Sequence, residues 1–259
     1  PYLGCDDAEA AERFARFRVT RLPYNDLAAL TEYMEKDGGR VAGVFMEPIQ
    51  GEGGIFPATR EFLRGARELC TKHGALLGMD EIQTGVGRTG EWAAWTAIAG
   101  DDVEPDIIWL AKALGGGFPI GACLTRAELA ESMTRGTHGT TFGGNAVACA
   151  AGLATMRIIE AEGLRESARA QLDIVRALAD ERPIDAVKEI RGVGAMIGIQ
   201  VGERGEGRAN AVGNEMMERG VLATVPGGHT IRLLLPYFCG RDEIGQIWDV
   251  LAQAVEATA

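Results

Sequence analysis

Four lysines occur in the 259 residues: Lys36, Lys72, Lys112 and Lys188. Lys36 and Lys72 lie in helical ends beside Asp37 and His73, where a solvated ammonium is expected, and Lys188 lies in an alternating, half-exposed run. Lys112 alone leaves a continuous apolar run and enters a glycine turn, Gly115-Gly116-Gly117. Apolar surroundings lower an amine's pKa by desolvation, which is what a Schiff-base lysine needs. Two other apolar runs end in acids: VAGVFM in Glu47, and ALLGM in Asp80-Glu81. Ligands of open α/β sheets bind at the carboxyl ends of strands, so three such clusters beside glycine turns point to one site. The string Gly85-Val86-Gly87-Arg88-Thr89-Gly90 fits the dinucleotide G-x-G-x-x-G. It stands away from its strand, however, and the acid expected at the end of the next strand is missing, since Asp106 begins that strand. A phosphate-loop ATPase needs G-K-[ST], and none of the four lysines follows a glycine.

The elements that must position these residues follow from the apolar pattern. Strands are expected at 41–46, 75–79, 107–111 and 120–124, and helices from Asn25 or Asp26 through Lys36 and over 59–73, 127–135 and 145–160. The alternation predicts an α/β architecture with a mostly parallel sheet covered by helices. Beyond residue 160 the texture changes to a helix over 164–181 and strands at 186–191 and 195–201. A helix over 208–219, strands at 221–225 and 231–235, and a helix over 242–255 complete it. The reading is a large domain over 1–155 and a smaller C-terminal α+β domain over 156–259.

Composition limits the partners. Hydrophobic residues make up 46% and charged residues 24%, ordinary for a globular chain, and the net charge is −11 with no Lys/Arg-dense run. A nucleic-acid face is therefore not expected. No apolar run is long enough for a membrane span, and no signal-peptide pattern opens the chain. The five cysteines, Cys5, Cys70, Cys123, Cys149 and Cys239, are odd in number and lack C-x-x-C, which suits reduced thiols in the cytoplasm and indicates no metal site.

Four segments carry a resemblance: MEPIQGEGG (46–54), LLGMDEIQTGVGRTG (76–90), PDIIWLAKALGGGFPIGA (105–122) and HGTTFGGNAVACAAG (138–152). In this order they resemble the signatures of class III aminotransferases, fold-type-I enzymes that depend on pyridoxal 5′-phosphate (PLP). PYNDLAAL (23–30) is similar to the acetylornithine/succinylornithine branch, and IRLLLP (231–236) to the family's late arginine segment. The resemblance implies that Lys112 carries PLP and moves the proton between Cα and C4′, and that Asp80 pairs with the pyridinium nitrogen. It implies that Ile82 packs on the ring and that Gln83 reaches its phenolic oxygen. Thr141, with Thr140, would bind the cofactor phosphate of the partner subunit, making the site a property of a homodimer. Arg232 would hold a substrate α-carboxylate, and Glu52 would pair with Arg232 when an ω-amine enters. Glu47-Pro48 and His138 would support their loops.

The sequence departs from the family at Asn145-Ala146-Val147, where Asn-Pro-Leu is usual, and in a longer stretch over 97–104. A large part of the family's usual length, with its Ser-Gly-Thr phosphate loop, stacking aromatic and second arginine, is absent before Pro1. The implied activity is transfer of an amino group from an N-acetylornithine-like ω-amino acid to 2-oxoglutarate. Another ω-transaminase, an aminomutase, or a truncated silent chain acting as dimer partner or scaffold are the alternatives.

Overall fold

A computed structural model describes residues 18–134, 136, 138–203 and 205–258. The chain enters helix α1 (Leu27–Asp37), whose first turn is capped by Asp26, Oδ1 accepting from Ala29 N at 2.8 Å. Strand β1 (Gly43–Met46) follows, then a two-stranded hairpin of β2 (Ile49–Gln50) and β3 (Phe56–Pro57). Helix α2 (Arg60–His73) starts where Thr59 accepts from Phe62 N at 3.1 Å. It stops at Gly74, whose φ of 70° is the left-handed conformation glycine adopts without a Cβ penalty. Its buried face, Phe62, Leu63, Ala66, Leu69 and Cys70, packs with Leu30 and Met34 of α1 over Leu77 and Met79. Those two belong to β4 (Leu76–Asp80). Short helix α3 (Ala94–Ala99), strands β5 (Ile107–Leu110) and β6 (Ala122–Thr125), short helix α4 (Ala127–Ala130) and helix α5 (Ala146–Ala161) complete this part.

The first sheet has the order β1-β4-β5-β6, with β1, β4 and β5 parallel and β6 antiparallel beside β5. Asp106 ties its layers together. Its Oδ2 accepts from Leu77 N and from Arg67 Nη1 of α2, each at 2.7 Å, and Arg126 Nε lies 3.3 Å from Oδ1.

Helices α6 (Leu164–Glu181), α7 (Arg208–Glu218) and α8 (Arg241–Ala257) cover a second sheet, formed by β7 (Glu189–Val193), β8 (Met196–Gln200) and β9 (Thr230–Leu234). That sheet is antiparallel throughout, in the order β7-β8-β9. Its core is a separate cluster that includes Val175, Leu178, Ile197, Ile199, Val212, Met216, Ile231, Trp248 and Leu251.

Several expectations need correction. The segment 221–225 is no strand. Thr224 alone bridges Arg232, because Gly220 (φ 88°) and Gly227 (φ 67°) turn the backbone at either end and leave Leu222 exposed. The helix expected over 127–135 is only Ala127–Ala130, with no side-chain cap at Arg126, and Arg135 lies outside the described residues. The β2–β3 hairpin and α3 have no counterpart in the sequence reading. Among the described residues no helix is long and apolar enough to cross a membrane. The four described cysteines are all free, and Cys5 lies outside the described residues.

Candidate active site

Parallel strands put their carboxyl ends on one edge, and here the register aligns the chemistry. Met46 pairs Met79 and Met79 pairs Ile108, so one step further Glu47, Asp80 and Trp109 form a row across β1, β4 and β5. Asp80 is half-buried, and its Oδ1 accepts from Ile82 N at 3.0 Å, which folds the loop back over the strand end. No hydrogen bond reaches its other oxygen among the described residues. Lys112 stands just beyond β5, at the start of a 3₁₀ turn, Lys112–Gly115. Its φ of 44° lies in the left-handed region, which costs a non-glycine residue about 1–2 kcal/mol and is sustained only by its surroundings. The turn closes at Gly116 (φ 56°), where a Cβ would stand 2.3 Å from Thr155 Oγ1 of α5.

Glu47 senses the whole group. Burial pushes its carboxyl above the ordinary range, and the Gly51 N–H, donating to Oε2 at 2.9 Å, works against that. Asp80 pushes it further up, the Lys112 ammonium draws it down, and Glu52 raises it again. Behind Asp80, Glu81 is fully buried. Burial lifts it to about 7, against hydrogen bonds from Thr84 Oγ1 and the Trp95 and Ala94 amides, with Asp80 adding to the rise.

A second cluster joins the β2–β3 turn to β9. Arg232 donates from Nη1 to Glu52 Oε1 at 2.6 Å and to Gln83 Oε1 at 3.1 Å, and from Nε to Thr224 Oγ1 at 2.8 Å. Gln83 Nε2 stands 3.4 Å from Glu52 Oε1, which closes a triangle. The hydrogen bond from Arg232 holds Glu52 below the usual carboxylate range, against burial; the Arg232 charge, Gln83 and the Lys112 charge act in the same direction. Gly51 keeps the approach open, since a Cβ there would lie 2.4 Å from Gln83 Oε1.

The structure thus brings together Gln83, Glu52 and Arg232, and sets Asp80 and Lys112 within electrostatic reach of Glu47, with Lys112 also within reach of Glu52. Ile82 is half-buried beside Asp80. Thr140 and Thr141 lie apart, exposed in the loop before α5. The Gly85–Gly90 string is a clasp rather than a phosphate loop. Arg88 donates to Leu235 O and lies 4.5 Å over the Tyr237 ring, and Tyr237 Oη donates to Val86 O at 2.9 Å. Its glycines allow close packing, with a Cβ at Gly90 only 3.0 Å from Arg169 Cα. His229 is buried with Nδ1 2.8 Å from Gly227 O, and His73 ends α2. Sequence reasoning named Glu81 with Asp80 at the end of its strand without giving it a role, and missed Thr224. Glu81 is signalled only by its neighbour Asp80, and Thr224 by nothing local.

The class-III aminotransferase family profile matches residues 12–255. The acetylornithine aminotransferase of Vibrio vulnificus is 42% identical over 241 residues, 92% of this chain and 58% of that protein. The succinylornithine transaminase of Salmonella enteritidis is 41% identical over 240 residues, 92% of this chain and 57% of that protein. Among solved structures, an ornithine aminotransferase from Toxoplasma gondii, described with partial PLP occupancy at its active site, superposes with a TM-score of 0.82 at 32% identity. The match covers 95% of this chain and 59% of that one. The chain therefore spans about 58% of the length of the curated relatives it matches. With a profile match over nearly all its residues and the same fold as a solved aminotransferase, the chain belongs to the class III aminotransferase family.

Proposed function

We propose that this chain serves a PLP-dependent transaminase that transfers the amino group of an N-acetylornithine-like ω-amino acid to 2-oxoglutarate. The observation that carries the proposal is the placement of Lys112 and Asp80 at the ends of neighbouring parallel strands, with a lysine backbone held in the left-handed region. The donor set suits PLP: one amine for an aldehyde and one carboxylate with a free oxygen for a protonated ring nitrogen. No His/Cys/Asp/Glu group among the described residues is arranged to hold a metal ion. When bound, PLP supplies the electron sink for charge that develops at the substrate Cα.

The chain's own residues do the rest. Asp80 would keep the proton on the ring nitrogen, and Ile82, beside it, would pack on the ring face. Lys112 would hold the cofactor through Nζ and, once displaced from it by the substrate amine, would use that Nζ to take and return the proton at the substrate Cα. Gln83, whose amide is held to Glu52 only at 3.4 Å, would donate to the cofactor's phenolic oxygen. Arg232 takes the α-carboxylate of glutamate, and Glu52 masks it while the ω-amine donor occupies the site.

Thr140 and Thr141 would bind the cofactor phosphate of a second copy in a homodimer, whose contact would cover the exposed apolar side chains Phe142, Val147 and Leu153 of the loop before α5 and its first half. The division near residue 155, into a cofactor-binding and a smaller C-terminal unit, belongs to the same proposal and is supported by the two separate cores. The free thiols suit the cytoplasm.

The test is chemical. The protein is purified with PLP, reduced with borohydride and mapped by mass spectrometry. Modification at Lys112 is expected. Modification at Lys36, Lys72 or Lys188 would overturn the assignment, and none at all would leave a silent chain.

A further inference from the structure

Glu52 and Arg232 come from opposite ends of the chain, and one buried guanidinium spans the gap between their backbones. Arg191 of β7 donates from Nε to Gly54 O and Ile55 O, each at 3.0 Å. Its Nη2 donates to Gly54 O and to Thr230 Oγ1, each at 2.7 Å. Nη1 is occupied by Glu189 Oε2 at 2.7 Å and Gln200 Oε1 at 3.1 Å, and the Phe56 ring lies 4.2 Å below the guanidinium. Gly54 is two residues after Glu52, and Thr230 is two residues before Arg232 on the same face of β9. One side chain therefore ties the loop of the acid to the strand of the base.

The loop needs such a tie. Ile55 is fully buried with φ at 59°, a conformation that strongly disfavours a β-branched residue. It fits there only because position 198 of β8 is glycine, whose Cβ would stand 2.8 Å from Ile55 Cβ. Strained backbone persists where its surroundings over-determine it. Here the surroundings are the Arg191 hydrogen bonds to the Gly54 and Ile55 carbonyls.

We infer that Arg191 is a positioning residue for substrate selection: it holds the β2–β3 turn so that Glu52 meets Arg232. The inference rests on the reading of that pair as the element that chooses between ω-amine and α-amine donors. Lysine at 191 would keep the charge but lose the fork that reaches two carbonyls and a hydroxyl at once. Thr230→Val would remove one acceptor while preserving shape.

Both variants are made in the protein purified with PLP, with Glu52→Ala as the reference. Amide hydrogen exchange is followed by mass spectrometry, and kcat/KM is measured for glutamate and for the ω-amine donor. In Arg191→Lys, peptides covering 51–56 should exchange about tenfold faster while those covering 62–70 in α2 are unchanged. The donor ratio should move toward glutamate by about fivefold, the weight of one net hydrogen bond. Thr230→Val should move both in the same direction by less, and it carries the test if Arg191→Lys does not fold. Adding Arg191→Lys to Glu52→Ala should shift the ratio no further, because both remove one interaction. A ratio that moves in Glu52→Ala but not in Arg191→Lys overturns the inference and spares the selection reading. A ratio unmoved by Glu52→Ala overturns the selection reading instead. Exchange then decides alone: faster exchange at 51–56 upholds the anchoring, and unchanged exchange ends it.

Discussion

Removing the Glu52 carboxylate is the sharpest perturbation available, because its partner is buried and it is not. The Arg232 side chain is 9% exposed and that of Glu52 75%, with 2.6 Å between Nη1 and Oε1. A hydrogen bond between charged groups contributes about 1.5–3 kcal/mol when desolvated. An exposed ion pair contributes only about 0.2–1 kcal/mol. With one partner in each regime, masking of Arg232 comes to about 1–2 kcal/mol, or about 5–30-fold in preference.

Glu52→Ala leaves the guanidinium in place, because Thr224 Oγ1 at 2.8 Å and Gln83 Oε1 at 3.1 Å still accept from it. Those partners are neutral and do not cancel its charge. The unmasked Arg232 then attracts the α-carboxylate of the ω-amine donor and draws its α-carbon, whose nitrogen is acylated in an N-acetylornithine-like donor, into the place the ω-amine must occupy. The expected result is a loss in kcat/KM of about 5–30-fold for the ω-amine donor relative to glutamate, with glutamate turnover spared or improved. The assay measures kcat/KM for both donors in Glu52→Ala. Equal losses for both would refute selection and reduce the pair to a brace of the β2–β3 turn.

Asp80→Ala should lower the transamination rate by at least ~10²–10⁴, the weight of acid/base steps in such sites, and a variant retaining most of its single-turnover rate would contradict the role. Asp106→Asn should lower stability in urea by about 3 kcal/mol, because Arg67 and the Leu77 amide lose a charged, nearly buried acceptor; a change within about 0.5 kcal/mol, usual for surface sites, would count against the tie. Glu81 predicts a pH effect of definite sign. Its folded value near 7 lies above the ordinary 4.5, so the native state binds the extra proton and stability falls as pH rises between those values, by about 3 kcal/mol at full shift. Unfolding of Glu81→Gln at pH 5 and pH 8 should lack that drop, and equal slopes in variant and parent would exclude Glu81 as its source.

Local structure was legible because its causes are local. The helix start at Asn25 or Asp26, the helix over 59–73 and the apolar runs ending at Asp80 and before Lys112 each depend on a few neighbouring residues, and their elements appear where the pattern places them. Lys112 stood out from its three counterparts through its flanking runs alone. The 221–225 run read as a strand by the same local logic and is not one. Its pairing with β9 is limited to Thr224, and glycines at 220 and 227 redirect the chain.

Everything that joins distant segments was decided by the tertiary structure. The row of Glu47, Asp80 and Trp109 exists because three parallel strands share a register, and apolar runs specify a strand without specifying its neighbour. The Glu52–Arg232 hydrogen bond spans 180 positions. The resemblance implied the pair; its geometry, its Gln83 and Thr224 partners and the Arg191 fork behind it came only with folding. The glycines of Gly85–Gly90 are the clearest case. In the sequence they imitate a nucleotide loop, and in the fold they let Arg88 reach Leu235 and the loop pack against α6. A glycine records that a backbone must bend or be approached closely, and only the packed chain decides what approaches it.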